Sequence, residues 1–167
     1  MVILVMGTTG AGKTTVGQLI ARKLGWTFLD ADDFHPQANI EKMKHGVPLT
    51  DRERAPWLAN IHSRLRQLGA EEKNAVLACS ALKQSYRETL AAGLDMRIVY
   101  LRGTYDQMRQ HILARHGHFA GESILAGQFS DLEEPTDALV LDVSSSSPER
   151  LAGQAVAGLG LAPADAP

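Results

Sequence analysis

Eight residues near the start of the chain, Gly7-Thr8-Thr9-Gly10-Ala11-Gly12-Lys13-Thr14, set two glycines, Gly7 and Gly12, with four residues between them ahead of a Lys-Thr pair. This is the P-loop pattern, and each residue type has a physical task in it. Glycines let the backbone close around an anion, while loop N–H groups and the following helix N-terminus aim partial positive charge at it. Lys13 is expected to reach the β- and γ-phosphates of ATP, and the Thr14 hydroxyl to ligate Mg²⁺. With Thr15, the nucleotide-binding candidates run from Gly7 to Thr15 without a break.

A second group of reactive side chains follows in Leu29-Asp30-Ala31-Asp32-Asp33-Phe34-His35. Three carboxylates so close together are either a solvated turn or an acid site beside a metal and a reacting hydroxyl. In the second reading Asp30 holds a water on the metal, and Asp32 orients and deprotonates the attacking hydroxyl. Cations come next. Lys42, Arg52 and Arg54 lie in a polar, proline-containing stretch, and each taken alone is an ordinary surface charge. Lys83 and Arg87 are four apart in Cys79-Ser80-Ala81-Leu82-Lys83, with Tyr86-Arg87 beyond it. On a helix they would share a face, as a carboxylate grip or as a solvated basic surface. Arg109, Arg115, His116 and His118 surround Gly117 in a stretch suited to a lid. The histidines lack the Cys or acid partners that a zinc site needs.

These residues need a scaffold, and the chain supplies one. Apolar runs at Val2–Met6, Trp26–Leu29, Ala75–Cys79, Ile98–Leu101 and Leu139–Leu141 alternate with segments of helical periodicity. That alternation predicts an α/β fold with three layers, a five-stranded parallel sheet covered by helices on both faces. In such sheets ligands bind beyond the C-terminal strand ends, where the P-loop, Asp30–Asp33 and Ser80–Lys83 all fall. Helix starts are legible at Thr50–Glu53, Thr104–Gln107 and Ser147-Pro148, and Gly25, Gly46, Gly69 and Gly93 are candidate stops. One domain is expected over residues 1–161, with a lid at about 115–130, a solvated loop at Ser144–Ser147 and a frayed tail from 162 to 167.

Composition narrows the partners. A net charge of −2 gives no electrostatic case for nucleic acid or a membrane surface, and 44% hydrophobic residues are ordinary for a globular chain. No signal peptide or membrane span is apparent. The single cysteine, Cys79, excludes an internal disulfide; in its apolar run it reads as a buried thiol, and cytoplasmic localisation follows.

Taken together, the stretches GTTGAGKTT, FLDADDFHP, NIEKM with PL, PWL, CSALK with YR, ARHGHF and QF with LEEP resemble the gluconokinases, small P-loop kinases related to shikimate kinases and nucleoside monophosphate kinases. The resemblance spans position 7 to about 135. It implies phosphate transfer from ATP to the 6-hydroxyl of D-gluconate with Mg²⁺, and a homodimer. It carries phosphate and metal roles onto Gly10, Gly12, Lys13 and Thr14, and a substrate-facing role onto Asp32. Arg54, Lys83 and Arg87 become carboxylate grips and Arg115 a lid arginine. His35, Asn39 and Ser80 are the expected polar groups for the middle of the substrate. Glu53 stands where the family usually has Asp, and Ala120 where a second aromatic residue often follows Phe119. Two other functions are weighed against this one. A kinase for another hydroxy acid such as shikimate would be expected to show a glycine-rich turn in place of Ser80–Lys83, and a non-catalytic regulator would have no use for the acids and the lid.

Overall fold

The computed structural model describes residues 1–45, 47–116, 120–144 and 146–164, with backbone alone for 115, 116 and 120–123. Five strands, β1 (Val2–Met6), β2 (Thr27–Asp30), β3 (Ala75–Ala78), β4 (Met96–Arg102) and β5 (Leu139–Asp142), form one parallel sheet in the order β2-β3-β1-β4-β5. The helices are α1 (Lys13–Leu24), α2 (Gln37–Lys44), α3 (Asp51–Ala70), α4 (Gln84–Ala91), α5 (Tyr105–His116), α6 (Ala120–Asp131) and α7 (Pro148–Gly158).

The central strand explains its own sequence. Alternate residues of a strand face opposite sides, so a strand covered on both sides must be apolar throughout. Ile3 and Val5 pack with α1, α5 and α7 residues such as Val16, Ile20, Met108 and Ala155. Val2, Leu4 and Met6 meet α3 and α4 through Leu58, Ile61, Leu65 and Leu90. Each fully buried side chain of this size contributes about 1.5–3 kcal/mol, so the two half-cores together hold the P-loop's strand rigidly.

Several boundaries differ from the sequence pattern, each for a local reason. β2 runs one residue later than its apolar run, because Asp30 pairs in register with Ala78 of β3. β4 starts at Met96, two residues before the apolar run, since pairing with Val2 and Ile3 continues past the exposed Arg97. Gly69 does not stop α3. The helix passes through it and ends where Glu72 turns left-handed at φ 56°, with the Lys73 N–H donating to Leu68 O. Gly25 and Gly93, at φ 66° and 69°, do follow the ends of α1 and α4, while Gly46 lies outside the described residues. The capping boxes at Thr50/Glu53 and Thr104/Gln107 form, as does the Ser147 cap ahead of Pro148. The expected tail is docked as far as Ala164, whose N–H donates to Lys23 O at 2.8 Å; residues 165–167 lie outside the described set. Cys79 is buried, and desolvation pushes its thiol up to about 12, so it is chemically quiet at neutral pH.

Candidate active site

The P-loop lies between β1 and α1, and its glycines are there for geometric reasons. Gly10 has φ 85°, and a Cβ on it would sit 2.9 Å from the Met108 carbonyl oxygen of α5. Gly7, at φ 148°, would place a Cβ 2.7 Å from Leu101 O. The loop is therefore pressed against β4 and α5 in a conformation that side chains disfavour. Lys13 folds back so that Nζ donates to Thr8 O at 3.0 Å. From the α5–α6 pair, His111 Nδ1 lies 3.0 Å from Gly10 O, and Gln128 Oε1 accepts the Thr9 N–H at 2.6 Å.

The acids meet the loop at the end of β2. Thr14 Oγ1 donates to Asp30 Oδ2 at 2.8 Å, and Asp30 Oδ1 caps the following 3₁₀ turn by accepting the Asp32 N–H at 3.1 Å. A hydroxyl and a carboxylate this close are hard oxygen donors of the kind Mg²⁺ prefers. Asp32 is more exposed than Asp30, but it lines the cavity described below. Partial desolvation there, reinforced by the Asp30 charge, raises its pKa above the ordinary carboxylate value, and Lys13 and His35 partly offset that. A carboxylate shifted in this direction is a better base than a solvated one.

Trp57 organises this corner. Its indole Nε1 donates to Ala31 O at 2.7 Å, pinning the acidic turn, and its ring stacks on His35 at 4.5 Å and 6°. Burial lowers the His35 pKa and keeps the imidazole neutral near pH 7, and its Nδ1 is a buried atom with no hydrogen-bond partner among the described residues.

Asp32, His35, Arg54, Trp57, Ser80 and Tyr86 line one side of a cavity of about 410 Å³; Gly127, Gln128 and Asp131 of α6 line another. Four residues expected from the sequence, Asp32, His35, Arg54 and Ser80, are thus brought together. Arg54 NH1 donates to Tyr86 OH at 3.0 Å. Tyr86 OH in turn donates to Asp51, which also holds Lys83 Nζ at 2.9 and 3.0 Å. These contacts lower the Asp51 pKa, the Tyr86 hydrogen bond first.

Two expected residues go elsewhere. Asn39 is buried with Nδ2 donating to Glu53 O at 3.0 Å, joining α2 to α3, where Lys42 also pairs with Glu53 at 2.5 Å. Lys42 and the Thr50 cap hold the Glu53 carboxyl down at about 2. Arg87 does not share a helical face with Lys83, because Lys83 is the extended cap before α4. Arg87 is buried instead, and its NH1 donates to Ala81 O at 3.0 Å and Leu82 O at 2.9 Å, holding a loop in which Ala81 has φ 44°. We expect Arg87→Met to destabilise the fold by about 2–4 kcal/mol, the scale of removing a buried charged donor from the Ala81 carbonyl and from Leu82 O, which keeps only the Glu133 N–H. Denaturant titration checks this, and an unchanged midpoint with a raised substrate KM would return Arg87 to direct substrate contact. Arg115 ends the chain's approach to the expected lid, and its side chain lies outside the described residues.

Trp57, Tyr86 and Gln128 fall in the PWL, YR and QF patterns, whose spacing assigns them no chemistry, and Asp51 reads only as a residue in the first turn of a capped helix.

The family described as Shikimate kinase matches residues 9–135. The gluconokinase of Gluconobacter oxydans (strain 621H) is 46% identical over 136 residues, covering 81% of this chain and 76% of that protein. The chain belongs to the gluconokinase family. It is accordingly an ATP-dependent small-molecule kinase. A probable gluconokinase of Mus musculus is 43% identical over 169 residues, covering 89% of this chain and 92% of its own. Among solved structures, the gluconokinase from Sinorhizobium meliloti 1021 superposes with a TM-score of 0.84 at 40% identity, over 95% of this chain and 90% of that one. The gluconokinase resemblance of the motifs therefore extends to nearly the whole fold.

Proposed function

We propose that this chain phosphorylates D-gluconate at its 6-hydroxyl with ATP, yielding 6-phospho-D-gluconate and ADP. The observation that carries the reading is one cavity lined by both an acid influenced by the P-loop lysine, Asp32, and a cation, Arg54. A substrate with a carboxylate at one end and a primary hydroxyl at the other suits that pairing. The hydroxyl oxygen forms a bond to the γ-phosphorus as the bond to the β-phosphate oxygen breaks, ADP leaves, and the hydroxyl proton passes to Asp32. Lys13 offsets negative charge on the phosphates, and His35 and Ser80 present polar groups to the hydroxyls between the ends. Mg²⁺, held through Thr14 and Asp30, would neutralise the β- and γ-phosphate oxygens when bound.

Arg54, Tyr86 and Lys83, with Asp51 as their shared anchor, form the carboxylate grip. Arg115 belongs to this reading as a lid residue that excludes water. A cytoplasmic setting fits the unpaired Cys79, and no helix among the described residues is long and apolar enough to cross a membrane. The homodimer implied by the resemblance is part of the same proposal.

The test is a panel of sugar acids and neutral sugars with ATP and Mg²⁺, read as ADP release. Gluconate should turn over, and neutral glucose should be disfavoured by about 2–3 kcal/mol, the scale of leaving a charged grip unpaired. Shikimate, a rigid ring with secondary hydroxyls, should be nearly inert. Faster turnover of shikimate than of gluconate would overturn the substrate assignment.

A further inference from the structure

Gln128 both touches the phosphate loop and lines the acceptor cavity. Its Oε1 takes the Thr9 N–H at 2.6 Å, and with Gly127 and Asp131 it lines the cavity wall that α6 provides. The far end of α6 is tied down. Just beyond Asp131, the Glu133 N–H donates to Leu82 O at 3.0 Å and its carboxylate accepts the Gln84 N–H at 2.6 Å, capping α4. A change at Gln128 can therefore occur by side-chain rotation, with the C-terminal end of α6 held in place.

We propose that Gln128 is a positioning residue that couples the two substrates: a terminal phosphate oxygen displaces it from Thr9, and the freed amide turns to the acceptor. Loop N–H groups of this kind serve phosphate oxygens, and a single N–H cannot serve a phosphate and an amide oxygen equally well. The anionic oxygen wins, because charge-assisted hydrogen bonds are roughly twice as strong as neutral ones. The displaced amide then offers two N–H donors and a carbonyl acceptor, a set that matches the hydroxyls of a polyol. Asp131, one turn further along α6, lies on the same wall to receive a hydroxyl proton donor. Acceptor binding becomes stronger once nucleotide is bound, which disfavours transfer to water. The inference rests on the reading of this cavity as the acceptor site.

The test is calorimetric titration of the full chain with a non-hydrolysable ATP analogue, and with gluconate in its presence and absence. In the parent the analogue should tighten gluconate binding by about fivefold or more, an ordinary coupling between two sites. Gln128→Ala should bind the analogue as tightly as the parent or up to about threefold tighter, since a competitor for Thr9 is gone, yet lose the gain for gluconate. Gln128→Glu should weaken the analogue by about tenfold, because a carboxylate then faces the incoming phosphates. Equal weakening in both variants would make Gln128 a mere support of the loop and overturn the proposal. So would a parent without the gain, or an alanine variant that keeps it. A parent that binds the analogue but no gluconate would strike the gluconate reading alone, and the nucleotide arm would still decide the competition at Thr9.

Discussion

Replacing Lys13 by alanine is expected to reduce turnover by about three orders of magnitude or more, equivalent to about 4 kcal/mol of lost transition-state stabilisation. The ammonium folds across the mouth of the phosphate loop, with Nζ 3.0 Å from Thr8 O, and its field reaches Asp32. In the proposed reaction it offsets charge on the transferring phosphoryl group. The loop should keep its shape in the variant. Gly7 and Gly10 are locked against Leu101 and Met108, and Gln128 holds the Thr9 N–H. Steady-state kinetics together with a thermal melt make the check. A variant that melts like the parent and turns over within tenfold of it would remove Lys13 from the transfer step.

Asp32→Asn should have the second largest effect, a fall in kcat of about 10²–10⁴, the usual contribution of a positioned general base. ATP affinity should change little, because the carboxylate is assigned to the acceptor hydroxyl. Asparagine keeps the shape and the backbone N–H to Asp30 Oδ1, so the 3₁₀ turn should survive. Asp30→Asn is expected to behave differently and raise the Mg²⁺ concentration needed for half-maximal rate, since it weakens the oxygen pair with Thr14. Titrating Mg²⁺ in both variants separates the roles. Identical shifts in Mg²⁺ dependence would mean that the two carboxylates act as one site.

Much of this was legible in the sequence because it is written locally. The five strands showed as apolar runs, since a strand covered on both faces has to be apolar at every position. The P-loop, the capping boxes at Thr50 and Thr104, and the Ser147-Pro148 start depend on bonds within a few residues, so their spacing alone announces them. Asp30 and Asp32 were legible for a related reason. Carboxylates at a strand's C-terminal end have few structural uses, and parallel sheets place ligands there.

What only the tertiary structure decided is where chemically equivalent side chains go. Arg54 and Arg87 are the same residue type in similarly polar stretches, yet one lines the cavity while the other is buried on two loop carbonyls. The difference arises because the left-handed turn at Ala81 brings two loop carbonyls to Arg87, with Leu82 O shared with the Glu133 N–H, a fact about a folded loop rather than about arginine. Asn39 was drawn to Glu53 O in the same way, by a first-turn carbonyl of α3 that packing brings beside α2. Gln128 meets Thr9 across 119 residues of chain, and Trp57 reaches Ala31 across 26. Local periodicity and turn chemistry set which segments become strands and helices. The destinations of polar side chains depend on which donors and acceptors the packed elements leave unsatisfied, and that exists only once the layers have closed.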